Sequence, residues 1–139
     1  MLELVTEENG PLAKQCEEFV GYPILEPNVT IAFKKADEVV GIFTFANFTG
    51  REIWLSCWAS TQEVWERENY ERMLDYPFRQ CGVTRCCAMT RADNYRANRA
   101  ASTRGWTKEA VFRKYFDDEP GGDAVLYTML KEDWESLYG

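Results

Sequence analysis

Apolar residues recur along the chain with two different spacings, which separate the predicted strands from the predicted helices. Runs rich in β-branched and aromatic residues, bounded by turn sequences, predict strands over residues 2–5, 29–33, 39–46 and 52–58. Short turns join the last three runs, which predicts an antiparallel meander. Apolar positions three and four apart predict a helix from Pro11 to Gly21 and another over residues 62–80, where Pro77 marks an expected kink or late break.

The second half of the chain alternates between strand and helix. Residues 83–90 form a predicted strand whose apolar centre suits burial on both faces, and the helical crossover into it favours parallel pairing. Asp93 or Asn94 is expected to cap a further helix that ends at Gly105. Two predicted strands at 106–112 and 124–130, a turn between them at 117–122, and a short tail at 132–138 complete the chain. The order βαβββαβαββ predicts an α+β fold.

Length and composition indicate one globular domain. The chain has 139 residues, of which 45 % are apolar and 28 % charged, so a single domain over residues 1–139 is expected. No stretch approaches the roughly 18 consecutive apolar residues of a membrane span, and the first residues lack the pattern of an export signal. The five cysteines include no C-x-x-C pair, so we expect free thiols and a cytoplasmic protein without a membrane partner.

The absence of histidine restricts the chemistry. Imidazole is the usual general base near neutral pH and the commonest zinc ligand. Ser-His-Asp and Cys-His catalysis are therefore excluded, and we expect no metal site. Cys57, which lies in a predicted strand, is expected to keep its thiol proton and to be inert, because no imidazole can activate it.

The charge is unevenly distributed. The net charge is −7, yet residues 84–114 hold eight basic and two acidic side chains. This basic segment is typical either of a site for a phosphorylated ligand or of a solvated helix face. Nucleic-acid binding is not favoured, because the segments on both sides are acidic and would be repelled by phosphates.

Several segments, taken in order, resemble the GNAT superfamily of N-acyltransferases, in particular the small GNAT-like proteins of tailed bacteriophages and prophages. The resemblance covers roughly residues 29–134. Residues 75–78 (DYPF) and 82–85 (GVTR) resemble the end of the family's main helix and the start of the next strand. Residues 93–99, followed by Gly105, Trp106 and Glu109, resemble its Asn, helix and Gly-aromatic pair before an acidic residue, and residues 123–134 resemble its closing strand.

The resemblance implies a mixed sheet, mostly antiparallel, flanked by helices and containing one parallel pair of strands that splay apart. The splayed strands would be residues 52–58 and 83–90, with acetyl-CoA in the gap. Freed backbone groups there would bind the pantetheine arm and polarise the thioester carbonyl. The amine would attack the thioester directly, without a metal or a covalent enzyme intermediate. The cofactor-binding residues so implied are Cys57, Trp58, Ala59, Arg67, Asn94 and Arg99.

Two departures from the family pattern concern catalysis. The family usually has a Gly-rich turn that holds the CoA pyrophosphate, whereas residues 61–67 contain no glycine and include Glu63 and Glu66, so that Arg67 alone favours an anion there. Many members also have a tyrosine four residues before the Gly-aromatic pair as the general acid, and this chain has Ala101. Glu52 is a candidate base for the amine, or a solvated acid at a strand end.

The sequence is compatible with two functions. One is an acetyl-CoA-dependent N-acyltransferase of the phage type, acting on a primary amine of a small molecule or protein. The other is a catalytically inactive GNAT-fold phage protein that serves as a virion component or binds a phage or host protein.

Overall fold

The computed structural model describes residues 2–116 and 122–139. Within that part of the chain the elements follow the predicted alternation, with one additional helix at the end. The strands are β1 (Glu3–Glu8), β2 (Asn28–Lys35), β3 (Glu38–Ala46), β4 (Glu52–Ala59), β5 (Arg85–Arg91), β6 (Thr107–Phe112) and β7 (Ala124–Leu130). The helices are α1 (Pro11–Val20), α2 (Arg67–Asp75), α3 (Tyr95–Thr103) and α4 (Lys131–Leu137).

The seven strands form one sheet in the order β1-β2-β3-β4-β5-β7-β6. β4 and β5 pair in parallel, and every other pair of neighbours is antiparallel. The α+β class, the meander of β2 to β4 and the parallel pairing after the crossover are therefore confirmed. The parallel pair occupies the middle of the sheet, where neither strand lies at an exposed edge.

The segment predicted as one helix over residues 62–80 is divided into three parts. A 3₁₀ turn (Gln62–Trp65) precedes α2, and a π-helical turn (Tyr76–Gln80) follows it. Glu66 separates the first two parts because its backbone is extended, with φ −63° and ψ 147°. Pro77 has no N–H to continue the α-helical hydrogen bonds, and the expected break at this residue is confirmed.

The predicted tail at 132–138 is wrong, because these residues belong largely to α4. The carboxylate of Asp133 accepts a hydrogen bond from the backbone N–H of Leu130 at 3.1 Å and so caps the start of the helix. Trp134 is buried and stacks on Phe78 with ring centroids 5.3 Å apart. Tertiary burial of this tryptophan stabilises a helix too short to form alone. Of the predicted turn at 117–122, all but Gly122 lies outside the described residues.

Helices cover both faces of the sheet, and the alternation of side chains along β4 shows which face each one covers. Leu55 joins the main core cluster together with Met73 and Leu74 of α2. Trp58, whose side chain points to the other face, stacks on Phe19 of α1 with ring centroids 4.1 Å apart. α2 and α1 therefore lie on opposite faces of β4.

A glycine in β3 fixes the position of the 3₁₀ turn after β4. Gly41 pairs with Ala59 at the end of β4. A Cβ atom on Gly41 would lie 2.9 Å from both methyl carbons of Val64, which is fully buried in the turn. The missing side chain lets the turn pack directly on the sheet.

We expect Gly41→Ala to destabilise the protein, because Val64 is β-branched, fully buried and unable to rotate away. Overpacking of this kind costs about 1 to 3 kcal/mol. Urea unfolding followed by tryptophan fluorescence measures the change in the free energy of unfolding. In a Val64→Ala background the added methyl group should cost less, since the obstructing methyls are gone. Equal costs in both backgrounds would show that the contact between Gly41 and Val64 is not the cause.

Candidate active site

The central parallel strands separate halfway along their length. β4 and β5 pair from Glu52 and Arg85 as far as Leu55 and Ala88, and the described residues form no pair beyond that point. Each strand keeps its outer partner: β4 continues against β3, and β5 continues against β7 to the end of the strand. The predicted splayed pair is confirmed. It leaves the inner edge of β4 without a ladder partner over its second half.

A cavity of about 320 Å³ lies at this opening. Its wall combines the ends of β4 and β5, the 3₁₀ turn, the first turns of α3 and the end of α1. Three of the predicted site residues, Cys57, Trp58 and Ala59, line it from β4, and a fourth, Asn94, lines it from the start of α3. Four of the residues that the resemblance implies therefore reach this cavity, three from β4 and one from the start of α3.

Burial disfavours the thiol of Cys57 as a nucleophile in this cavity. Burial raises the pKa of Cys57 to about 12, so the thiol keeps its proton at neutral pH. This agrees with the sequence-based expectation. All five cysteines are free.

Asn94 has two polar groups with different roles. Its side-chain oxygen accepts a hydrogen bond from the backbone N–H of Ala97 at 3.1 Å, which caps α3. Its side-chain nitrogen makes no hydrogen bond to any residue that the structure describes. The amide can therefore hold the helix start and still donate to a ligand in the cavity.

The other two predicted site residues lie elsewhere. Arg67 pairs with Glu71, with Nε and Oε1 2.8 Å apart, and donates to the carbonyl of Leu137. It lines a neighbouring cavity of about 280 Å³ together with Arg104. Arg99 is exposed on α3 and lines neither of these cavities.

Sequence reasoning singled out Arg99 on α3, but Arg96 is the arginine of this helix that lines the cavity at the strand opening. Arg96 makes no ion pair within the described ranges. The rotation of α3 about its axis decides between these two arginines. It is fixed by contacts such as the hydrogen bond from the Tyr127 hydroxyl to the Asn98 side chain at 2.8 Å, which no sequence pattern shows.

The turn before α2 repels an anion less than its two glutamates indicate, because Lys35 offsets the negative charge of Glu63. Glu63 accepts a hydrogen bond from Lys35 at 2.8 Å, which holds the pKa of its carboxyl below the ordinary value. Neither Glu63 nor Glu66 lines the cavity; Gln62 and Trp65 do. The Trp65 ring packs edge-on against Phe43 with centroids 5.7 Å apart, so it forms part of the wall.

Tyr22, which follows α1, is the site residue that sequence reasoning missed most completely. Its hydroxyl lies 2.8 Å from the hydroxyl of Ser56, the first residue of β4 beyond the paired stretch. Burial raises the pKa of Tyr22 above its ordinary value, so the phenol is protonated at neutral pH. Tyr22 and Met89 line both this cavity and a second one of about 320 Å³.

The residues at the positions considered for a general acid or base, Glu52, Tyr95 and Ala101, do not line the cavity at the strand opening. Glu52 lies at the closed end of the strand pair, where it binds Arg85 with Oε1 and Nε 2.9 Å apart and accepts from the Trp54 indole at 2.9 Å. This placement favours a structural role over that of a base. Ala101 packs against the core, and the side chain of Tyr95 is 81 % exposed.

The basic segment at 84–114 is dispersed rather than gathered into one phosphate site. Arg85 pairs with Glu52 and Glu109, and Arg91 pairs with Asp93. Arg104 donates to the carbonyl of Trp65 at 3.2 Å.

Residues 2–116 and 122–139 contain neither a metal-binding cluster nor a membrane-spanning helix. No three Cys, Asp or Glu side chains there come close enough together to hold a metal ion. No helix in these ranges is long and apolar enough to cross a bilayer.

Solved structures of acetyltransferases share this fold. A mutant form of the spermidine/spermine N-acetyltransferase SpeG from Vibrio cholerae matches 98 % of this chain and 98 % of its own, with 15 % identity and a TM-score of 0.76. An acetyltransferase of the GNAT family from Bacillus anthracis matches 76 % of this chain and 66 % of its own, with 20 % identity and a TM-score of 0.56.

A third acetyltransferase matches 82 % of this chain with 23 % identity and a TM-score of 0.70, and the chain spans 64 % of its length. No family model and no curated protein matches the sequence. At these identities the comparisons concern the fold, and the protein has the fold of the GNAT acetyltransferases.

Proposed function

We propose that the protein is an N-acetyltransferase that binds acetyl-CoA in the cavity between β4 and β5 and transfers the acetyl group to a primary amine. The observation that carries this proposal is the separation of β4 from β5 after Leu55 and Ala88, with a cavity at that point. Acetyl-CoA supplies an activated acyl group, so the protein needs no metal and no nucleophile of its own. The protonated thiol of Cys57 agrees with direct transfer.

The second half of β4 is suited to bind a chain of amides. Backbone N–H and C=O groups that have lost their ladder partner require other hydrogen bonds. A pantetheine arm laid along Cys57, Trp58 and Ala59 would provide them, as a third strand-like segment in the gap. Backbone N–H groups at the narrow end would then stabilise the negative charge that develops on the thioester oxygen.

The phosphates would lie towards α3. Arg96 and Asn94, whose amide nitrogen makes no hydrogen bond to a described residue, line the cavity at the start of this helix, and its first turn carries no acidic residue. Arg67 and Arg104 add positive charge in the adjoining cavity beyond Trp65. Together these groups replace the anion-binding role of a Gly-rich turn, which the chain lacks.

A second candidate function is a GNAT-fold protein that binds a partner without catalysis. Ala101, in the position that the resemblance assigns to the general acid, favours it. The proposed phage origin, and with it a role in a virion or against a host protein, remains a prediction from sequence resemblance. Binding of acetyl-CoA and turnover with an amine separate the two functions.

Acetyl-CoA should stabilise the folded protein, and Arg96 should contribute to this effect. At a ligand concentration of about 100 times Kd, binding to the folded state adds about 2.7 kcal/mol to the free energy of unfolding. Arg96→Ala should raise Kd by about tenfold, since a lost charge-assisted hydrogen bond costs roughly 1.5 kcal/mol or more. Isothermal titration calorimetry measures Kd, and thermal unfolding with and without acetyl-CoA measures the stabilisation.

Arg99→Ala is the matched control, because it removes the same charge from the same helix at a position outside the cavity. Its Kd should stay close to that of the wild type. Equal losses in the two variants would indicate a general effect of charge, and a loss confined to Arg99→Ala would support the original sequence-based assignment. No acetyl-CoA binding by the wild-type protein would refute the proposed function.

Cys57→Ala should retain acetyl transfer within about threefold, because the thiol is protonated and the amine attacks the thioester directly. Intact-protein mass spectrometry in the presence of acetyl-CoA alone should show no acetylated enzyme. Loss of turnover in a folded Cys57→Ala variant, together with an acetyl adduct on the wild-type protein, would indicate covalent catalysis instead.

A further inference from the structure

The second cavity that borders the strand opening lies on the face covered by α1. It is lined by Trp54, Leu55 and Ser56 of β4, by Met89 of β5, and by the segment that follows α1. Tyr22 and Met89 belong to its wall and to the wall of the proposed acetyl-CoA cavity. A molecule in the second cavity would therefore lie beside the separation of the strands, next to the proposed acetyl-CoA cavity.

The described wall of this cavity is apolar, rich in aromatic rings and uncharged. Tyr22, Trp54, Phe112 and Tyr115 contribute rings, and Leu25 adds an exposed aliphatic side chain at the rim. The polar side chains are those of Asn47 and Ser56, besides the phenol groups and the Trp54 indole, whose N–H donates to Glu52. Among the described residues that line the cavity there is no Asp, Glu, Lys or Arg.

We propose that this cavity binds the amine substrate and selects small aromatic primary amines over polyamines. The inference rests on the proposed acetyltransferase function. The volume of the second cavity is about 320 Å³. This lies at the lower end of the range of roughly 300 to 1,000 Å³ for small-molecule sites, which are mostly apolar with a few polar groups. A ring the size of a phenyl group fits among the aromatic side chains, with the amine directed towards Ser56 and Met89, where the strands separate.

The absence of charge from the described wall has a chemical consequence for the substrate. An amine attacks a thioester only as the neutral base, and removal from water lowers the pKa of an amine because burial disfavours its charged form. The cavity thus promotes loss of the ammonium proton from a lone amine to bulk water. The neutral nitrogen then forms the amide bond as the C–S bond of the thioester breaks, and the departing CoA sulfur takes up the proton that the nitrogen loses. A polyamine brings further ammonium groups, and each would need a carboxylate that the described lining residues do not supply.

The test compares 2-phenylethylamine with spermidine as acetyl acceptors at equal, saturating acetyl-CoA, with products separated by liquid chromatography and mass spectrometry. We expect kcat/KM to be at least tenfold higher for 2-phenylethylamine. Phe112→Glu should lower kcat/KM for this amine at least fivefold and reduce the preference over spermidine, because it places a carboxylate on the cavity wall. Val111→Glu is the matched control: the adjacent residue of the same strand is 47 % exposed and does not line the cavity.

Direct binding keeps the inference separate from the proposed function. Calorimetric titration of both amines into the protein, free and saturated with CoA, should show binding of 2-phenylethylamine that Phe112→Glu weakens and Val111→Glu does not. Such binding without acetyl transfer would support the cavity assignment and count against the enzyme. Preference for spermidine or for a peptide amino terminus, or binding of neither amine, would overturn the inference, while stabilisation by acetyl-CoA would leave the proposed function standing.

Discussion

The structure depends on the loss of hydrogen bonds between two adjacent parallel strands in the middle of a sheet. β4 and β5 share a ladder only as far as Leu55 and Ala88, and an unpaired backbone group away from water costs free energy comparable to a lost hydrogen bond. The separation is stable because each strand stays paired with its outer neighbour through the separated stretch, β4 with β3 and β5 with β7. The elements that follow the two strands, the 3₁₀ turn and α3, then pack beside the gap and form its wall.

The two cavities at the opening have different chemistry. One combines the β4 edge with Asn94 and Arg96, polar groups suited to amides and phosphates. The other has a wall that is rich in aromatic rings and, in its described part, uncharged. This asymmetry suits the proposed transferase, which would hold an anionic acyl donor in one cavity and a neutral amine in the other. Tyr22 and Met89 border both cavities, so substitution of either residue would alter the walls of both.

The fold was largely predictable, and the failures have identifiable causes. Strand runs separated by short turns predicted the meander, and the glycine and capping signals around α1 and α3 located those helices. α4 was missed because it is stabilised by burial of Trp134 against Phe78, a contact between distant parts of the chain. The sequence predicts one long helix through the 3₁₀ turn because the turn leads directly into the helical spacing that begins at Tyr70, whereas the backbone at Glu66 is extended.

The sequence by itself determined the order of the elements and the absence of imidazole chemistry, because these follow from residue types and local spacing. The β4 residues at the opening were implied by the resemblance to the GNAT superfamily. Tertiary structure decided which charged side chains face the cavity. Arg96 lines it and Arg99 does not, because packing fixes the rotation of α3. Glu63 is engaged by Lys35, and Tyr22 reaches Ser56 across 34 residues of sequence. Such contacts arise only when the sheet brings distant segments together. The spacing of residues along the sequence does not show how close these segments lie in space.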